Sequence, residues 1–456
     1  MTAVVLLLIA AAATAAESSP APEPPSLRWD ALKPGLPPRE GLFAGEYPAG
    51  MFRRPDGLTL DTWFHDGWMR IYALLHLDSV VRCAEIDRGT GPVWMFGSAR
   101  QPDLLERTQV TIPDETFPHR DVPLPARRVF EIGNGQGILV VRHGKIVFED
   151  YPGMDPGQRH HWMSISKSAV NMLMGRLVME GKLDLNRKVE DYLPELAGKG
   201  YGSFTVQELA DMDADVDMNE SDYTSPTSPF WNWGRASGWF ADDGRWPGGV
   251  KQLLLTIERL PRPAGEAAQK VRYTGSNTQT LAWIIERQSG RPMQQYFEES
   301  IWRHIGAVAD AAVSVDRHGV PFAGGGLSST LRDLARYGTI WATGGLAPDG
   351  TRVFDAAWLE ENTSGKGLLI MRDYRYHNHS YSKNGAIVHQ GHSGQMLWVH
   401  PGHGTIVACF GANTEPKGQQ RWSSRALLFM AEAIDRELAA NDGVPATPTA
   451  PAAADR

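Results

Sequence analysis

The sequence contains only two cysteines, Cys83 and Cys409, among its 456 residues. Two thiols cannot form a disulfide framework or a multi-thiolate metal site, and the sequence leaves open whether they pair. The chain also lacks a basic run, and 45 Lys+Arg against 53 Asp+Glu give a net charge of −8. This acidic balance argues against nucleic acid or an anionic membrane surface as a main partner. Beyond the N-terminus we find no apolar stretch of the roughly 20 residues that span a membrane, so we expect no stable membrane insertion.

Both ends of the chain differ in composition from its globular middle. Residues 1–16 form an apolar run that ends in small residues, which is typical of an export signal peptide and predicts a periplasmic or secreted protein. Residues 17–60 are rich in proline, which favours an extended arm. Residues 441–456 are predicted to be a disordered tail.

The pattern between these ends predicts an α/β (α+β) fold. Pairs of β-branched runs flank turns at His143-Gly144 and at Gly402-His403-Gly404, so strands are expected near both ends. Helical spacing of apolar residues predicts helices over 164–181, 251–260, 277–288, 293–305, 328–342 and 423–440. We therefore predict an antiparallel sheet of N- and C-terminal strands, flanked by helices, with an inserted and mostly helical subdomain. The predicted parts are 61–195 and 321–440 for the α/β subdomain and 196–320 for the helical subdomain.

A Ser-x-x-Lys sequence, Ser164 to Lys167, opens the first strong helical pattern. Residues three apart share one face of a helix, so a neutral lysine there can accept the serine proton. A second copy, Ser380 to Lys383, lies in a polar, aromatic stretch. Either copy alone is also compatible with a helix cap or a surface serine beside a solvated lysine. Only Ser164 precedes an apolar helix, whose N-terminal amides can stabilise an oxyanion.

Two further elements follow in the chain. Tyr273 stands 109 residues after Ser164, just before a helical pattern, and Gly391-His392-Ser393-Gly394-Gln395 leads into a strand. Serine hydrolases of the β-lactamase and penicillin-binding type use Ser-x-x-Lys, a tyrosine loop and Lys/His-x-Gly on a strand in this order. Ser393 is not predicted as a nucleophile, because a Gly-x-Ser-x-Gly elbow needs glycine at position 395 and a following helix.

With these elements the chain resembles that superfamily, in its class C-like part and in the branch of 6-aminohexanoate-dimer hydrolases and related esterases. The resemblance runs from about Phe130 to about Arg436. It includes the connecting phrases HHWMSISKSAV, VEDYLPELAG, NESDY, RYTGSNTQTLAW, FAGGGLSSTLRDLARYG and GHSGQ. Such a relationship implies an antiparallel sheet with flanking helices and an acyl-enzyme mechanism without metal or organic cofactor.

The resemblance also implies roles for particular residues. Ser164 would be the nucleophile, Lys167 its base, and Tyr273 the group that relays a proton to the leaving group. His392 would fill the third-motif position, Gly394 would allow close approach of the substrate, and the main-chain N–H of Gln395 would join that of Ser164 in an oxyanion hole. Tyr223 and Glu220 resemble substrate-contacting residues, although this chain has an extra residue there.

One departure concerns substrate choice. Many relatives have Tyr-x-Asn, whereas the third residue here is Gly275, followed by Ser276 and Asn277. Three functions therefore remain open: a hydrolase of small amides or esters, a β-lactamase or D-Ala-D-Ala peptidase, and a non-catalytic binding or sensor module. Lys167 and Tyr273 together favour an enzyme. The histidines between His377 and His403 are better explained as strand and turn residues than as metal ligands, and the oligomeric state stays open.

Overall fold

The computed structural model describes residues 54–442, apart from 66, 114–116, 118, 221, 223–224, 262–272, 364–373, 376–377, 380–384 and 414–419. The strands are β1 (Cys83–Ile86), β2 (Gly97–Ser98), β3 (Gln109–Val110), β4 (Leu124–Pro125), β5 (Gly135–Arg142), β6 (Lys145–Asp150), β7 (His160–His161), β8 (Ala311–Ser314), β9 (Leu327–Ser329), β10 (Tyr374–Arg375), β11 (Asn378–His379), β12 (Ile387–Gly391), β13 (Gln395–His400) and β14 (Thr405–Gly411).

The α-helices are α1 (Gly67–Leu75), α2 (Leu104–Arg107), α3 (Ala126–Ile132), α4 (Lys167–Met179), α5 (Val189–Tyr192), α6 (Val206–Ala210), α7 (Pro229–Ala236), α8 (Gly249–Leu254), α9 (Gly275–Ser289), α10 (Met293–Ser300), α11 (Leu331–Ala342), α12 (Ala356–Thr363) and α13 (Gln420–Asn441). Short 3-10 helices cover Leu77–Ser79, Met163–Ser166, Pro194–Leu196, Trp302–His304 and Pro401–His403. Within the described part of the chain, no helix has the length and hydropathy needed to cross a bilayer.

The main sheet has six strands in the order β12-β13-β14-β5-β6-β2. All of its pairs are antiparallel except β2 with β6 at one edge. It joins the N-terminal hairpin β5–β6 to the C-terminal strands β12–β14, as the sequence predicts. His143 and Gly144 both have positive φ, 48° and 72°, which is the turn geometry that matches the twist of a two-residue hairpin.

Both faces of this sheet are buried. Side chains alternate along a strand, so Ile138 and Val140 of β5 join one core with α3 and α13. Leu139 and Val141 join the other core, together with α4 and α11. A smaller four-stranded sheet, β1-β8-β9-β7, leads by way of β7 directly into the 3-10 helix Met163–Ser166.

Helices α6 to α10 lie in the part of the sequence for which a helical subdomain is predicted, and α9 packs on α4. The subdomain boundaries themselves stay a prediction. The predicted arm ends before residue 60, because Leu58 is 6% exposed and belongs to the core. Cys83 and Cys409 are both free and lie in different sheets.

Three helix predictions need correction. The helix predicted over 293–305 ends at Ser300, because Ile301 leaves the helical backbone with a φ of −134°, and a separate 3-10 helix covers Trp302–His304. The helix predicted over 251–260 ends at Leu254, because Glu258 and Leu260 bond to the backbone of residues 217 and 215 and Pro261 follows. The helix predicted from residue 328 starts at Leu331, because Ser328 and Ser329 belong to β9 and Thr330 caps the helix.

Candidate active site

Ser164 and Lys167 lie at the junction of the 3-10 helix Met163–Ser166 with α4. Ser164 is half-buried, so its hydroxyl is reachable, whereas Lys167 is 3% exposed. Lys167 Nζ lies 3.0 Å from Ser164 Oγ and 2.5 Å from the carbonyl oxygen of Gly324. A neutral amine can donate one N–H to that carbonyl and direct its lone pair at the serine hydroxyl. The pair therefore has the geometry of a nucleophile and its base.

The segment 162–166, which we call the serine turn, lies tightly against the end of β12. Met163, directly before Ser164, has a φ of +50°, an uncommon value for a residue with a side chain. A Cβ added at Gly391 would lie 2.5 Å from the carbonyl oxygen of Trp162, so only glycine lets the turn approach the strand this closely. The indole N–H of Trp162 donates to Ser329 Oγ at 2.8 Å and anchors the turn on β9. The sequence contains Gly391 in its third motif but gives it no role.

Tyr273 stands beside the Ser164–Lys167 pair. Its half-buried ring has its centroid 4.9 Å from Lys167 Nζ, and Thr274 and Gly275 follow at the start of α9. The structure thus brings together the three residues that the sequence predicts as catalytic.

Glu220 is placed at the N-terminus of α9. Its carboxylate accepts the N–H of Gly275, at 2.8 Å from each oxygen, and the N–H of Ser276 at 3.1 Å. Burial raises the pKa of Glu220, while the Gly275 N–H and the charge of Lys167 act in the opposite direction. A Cβ at position 275 would lie 3.2 Å from Glu220 Oε2. The carboxylate therefore occupies the space next to Gly275 into which a side chain at that position would extend.

Asn277 does not replace the missing asparagine of Tyr-x-Asn. Its side chain is fully buried, and its Oδ1 accepts hydrogen bonds from Tyr201 Oη at 2.9 Å and Thr274 Oγ1 at 3.0 Å. Burial raises the pKa of Tyr201 above its ordinary value, so the phenol keeps its proton and can donate. This network fixes the loop after Tyr273 from inside the protein.

His392, Ser393 and Gly394 form the turn between β12 and β13. Ser393 and Gly394 have φ values of +66° and +93°, and the second favours glycine. Burial, reinforced by the charge of Arg70, lowers the pKa of His392 to about 3, so its ring is neutral at pH 7. The hydroxyl of Ser393 is bonded to His392 Nδ1 at 2.9 Å, and this serine is 3% exposed.

Gln395 uses its side chain to hold the sheet. Its Nε2 donates to the carbonyl of Gly411 at 2.7 Å, and its Oε1 accepts the Gly411 N–H at 3.2 Å. The Gln395 side chain is thus committed to the sheet, and the role of its main-chain N–H in an oxyanion hole stays a prediction. Tyr223 lies outside the described residues, as do Ser380 and Lys383 of the second Ser-x-x-Lys.

Aromatic residues surround the site. Phe64 lies 5.2 Å from His392, ring centroid to ring centroid, and His65 stacks on Trp231 at 4.7 Å. Trp239 contacts Phe322 at 4.4 Å. Residues 64 and 65 come from the N-terminal part of the chain, which the motifs do not cover.

A possible metal group lies elsewhere. His400, His403 and Asp435 place ligand atoms within 4.8 Å of one another. His400 ends β13, whose first residue is Gln395, so this group is roughly 17 Å along the strand from Gln395. The rings of the two histidines are parallel and 3.7 Å apart, so their nitrogens do not converge on one point. We assign it no catalytic role.

A known family and a known hydrolase match this chain over most of its length. Residues 132–428 match the family model described as beta-lactamase. Over 417 residues the chain is 30% identical to the 6-aminohexanoate-dimer hydrolase of Paenarthrobacter ureafaciens, covering 87% of this chain and 98% of that protein.

Two solved structures support the fold. A candidate 6-aminohexanoate-dimer hydrolase from Bacillus anthracis has a TM-score of 0.72 at 22% identity, covering 86% of this chain and 98% of its own. A candidate beta-lactamase from Bacteroides dorei DSM 17855 has a TM-score of 0.51 at 16% identity, covering 67% and 94%. Because the family model covers more than half of the chain, and the sequence relative is matched over almost its whole length, the chain belongs to the beta-lactamase family of serine hydrolases.

Proposed function

We propose that this enzyme hydrolyses small linear amides or esters through an acyl-enzyme on Ser164. The observation that carries the proposal is the position of Lys167 Nζ, which is 3.0 Å from Ser164 Oγ and is held on its other side by the Gly324 carbonyl. Ser164 Oγ attacks the substrate carbonyl carbon while Lys167 takes the hydroxyl proton. The C–N or C–O bond then breaks, and Tyr273 passes a proton to the leaving amine or alcohol.

The second half of the reaction returns the enzyme to its starting state. The main-chain N–H groups of Ser164 and Gln395 stabilise the oxyanion of each tetrahedral intermediate. Water attacks the acyl carbon, gives up a proton to the Lys167–Tyr273 pair, and releases the acid with Ser164 protonated again.

The substrate class rests on one relative and on two residues beside the serine. The 6-aminohexanoate-dimer hydrolase of Paenarthrobacter ureafaciens acts, by its name, on 6-aminohexanoate dimers, which are linear amides. Gly275 has no side chain to hydrogen-bond an acylamide group, and His392 is uncharged at pH 7 and so offers no cation to a carboxylate. The missing side chain at Gly275 disfavours β-lactams and cell-wall peptides relative to linear amides, which have no acylamide group beside the scissile bond. The uncharged His392 favours neutral short esters over substrates whose carboxylate would lie next to it. In this proposal Glu220 and Tyr223 contact the substrate.

A substrate panel tests this order. Purified enzyme is assayed at pH 7 with p-nitrophenyl butyrate, a linear 6-aminohexanoate dimer and nitrocefin, with Ser164→Ala as the control for background hydrolysis. We expect the ester or the dimer to have the highest kcat/KM. One missing neutral hydrogen bond is worth about 0.5–1.5 kcal/mol, or up to roughly tenfold, so nitrocefin can still turn over slowly. Nitrocefin as the best substrate contradicts the proposal and favours a β-lactamase.

Export is also part of the proposal, since residues 1–16 have the composition of a signal peptide. Expression of the full chain in a Gram-negative host, followed by N-terminal sequencing of the periplasmic fraction, tests it. A mature N-terminus close to residue 17 is expected. Uncleaved protein confined to the cytoplasm contradicts it.

A further inference from the structure

Gln279 connects the helix that follows Tyr273 to the loop that holds Lys167. It lies on α9, is 2% exposed, and faces the loop Pro321–Gly326. Its Nε2 donates to the carbonyl of Pro321 at 2.9 Å, and its Oε1 accepts the N–H of Ala323 at 3.0 Å. One planar amide thus binds the loop at two points, on either side of Phe322.

The residue after this double contact is Gly324, whose carbonyl accepts from Lys167 Nζ. Gly324 also lies directly against the first turn of α9, where an added Cβ would be 3.4 Å from Gly275 Cα. The position of the Gly324 carbonyl is therefore set by its packing on α9 and by the Gln279 amide next to it. Only a side chain that donates and accepts at once can make both bonds, which excludes Met, Leu and ionised Glu.

We propose that Gln279 is a positioning residue for Lys167, acting through the Gly324 carbonyl. This inference rests on the proposed role of Lys167 as the base for Ser164. A neutral lysine has one lone pair, and its direction is fixed only while an N–H is donated to Gly324. If the loop moves, the lone pair no longer points steadily at Ser164 Oγ, and a misplacement of about 1 Å can cost roughly 10²-fold in rate.

The expected result separates positioning from a general loss of packing. A displaced lone pair slows proton removal from Ser164 and so lowers kinact, while the surface that binds the probe, and with it KI, stays unchanged. A general loss of packing would also change KI and the melting temperature.

The test is the inactivation of the enzyme by a fluorophosphonate, which reports on Ser164 without requiring the natural substrate. The rate constant kinact, the binding constant KI and the melting temperature are measured at pH 7 for wild type, Gln279→Met and Thr280→Val. Thr280 is the matched control, since it is the next residue, is fully buried, and its hydroxyl donates to the Ser276 carbonyl of its own helix at 2.9 Å. Gln279→Leu is the second variant should the methionine protein fail to fold.

For Gln279→Met we expect kinact to fall by roughly 10- to 10²-fold, with KI within about twofold of wild type. Thr280→Val should stay within about twofold of wild type in both constants. The inference is overturned if Gln279→Met and Gln279→Leu lose no more of kinact than Thr280→Val at equal melting temperature, or if KI changes as much as kinact. If the wild-type enzyme is not labelled on Ser164 at all, the proposed function fails instead, so the two failures are distinguishable.

Discussion

Two adjacent buried histidines should make this enzyme lose stability in mild acid. His160 and His161 are fully buried on β7, directly before the serine turn, and burial lowers the pKa of each to about 3. In the unfolded chain both return to about 6.5. Between these values the unfolded state binds protons that the folded state does not, so the free energy of unfolding falls as pH falls below 6.5.

The size of this effect follows from the pKa difference. At pH 5 each histidine is 1.5 units below its unfolded pKa, which corresponds to about 2 kcal/mol. The two together give about 4 kcal/mol, a large part of the 5–15 kcal/mol typical of a folded domain. His392 has a pKa of about 3 as well, but it is only partly buried by area and should add less.

The assay is urea unfolding at pH 7, 6 and 5, followed by tryptophan fluorescence, for wild type, His161→Gln and His143→Asn. His143 is the control because its side chain is 59% exposed and its positive φ is well suited to asparagine. His161→Gln should reduce the loss between pH 7 and pH 5 by about 2 kcal/mol, whereas His143→Asn removes only an exposed side chain beside Asp442 and should change the loss by less than about 1 kcal/mol. The carboxyl groups are common to all three proteins, so they cancel in this comparison. Equal losses in wild type and His161→Gln would show that the buried histidine does not cause the loss.

Two further predictions concern the serine turn. Lys167→Ala should lower kinact by roughly 10²-fold or more; a variant that keeps the wild-type kinact would move the base role to Tyr273. Gly391→Ala should displace the turn, because its Cβ would lie 2.5 Å from the Trp162 carbonyl oxygen, so labelling of Ser164 should slow at least tenfold even in protein that keeps a wild-type circular dichroism spectrum. Wild-type labelling by Gly391→Ala would show that the close approach is not needed.

Much of the fold could be predicted from the sequence, because its strands and longest helices have strong local patterns. The turns at His143-Gly144 and Gly402-His403-Gly404 consist of residues that tolerate positive φ, and the helix at 277–288 has a regular apolar face. The sequence does not predict where α8 ends, because its end depends on pairing with residues 215–217, which are far away in sequence. Local periodicity carries no information about such contacts.

The candidate catalytic residues could be found because their motifs are short and ordered, but their supports could not. Gly391 and Gln279 act through contacts with residues distant in sequence, Trp162 in one case and the Pro321–Ala323 segment in the other. No local pattern marks a glycine that meets a carbonyl across the fold. The position of Glu220 at the start of α9 likewise depends on tertiary contacts.

Ser164 is expected to carry the covalent intermediate. This role is tested most directly by labelling the purified enzyme with a fluorophosphonate and locating the adduct by peptide mass mapping, in wild type and in Ser164→Ala. We predict a single adduct on the peptide that contains Ser164, no labelling of the variant, and a kcat for the variant lower by roughly 10³-fold or more. An adduct on Ser380 or Ser393 with Ser164 unmodified would contradict the account.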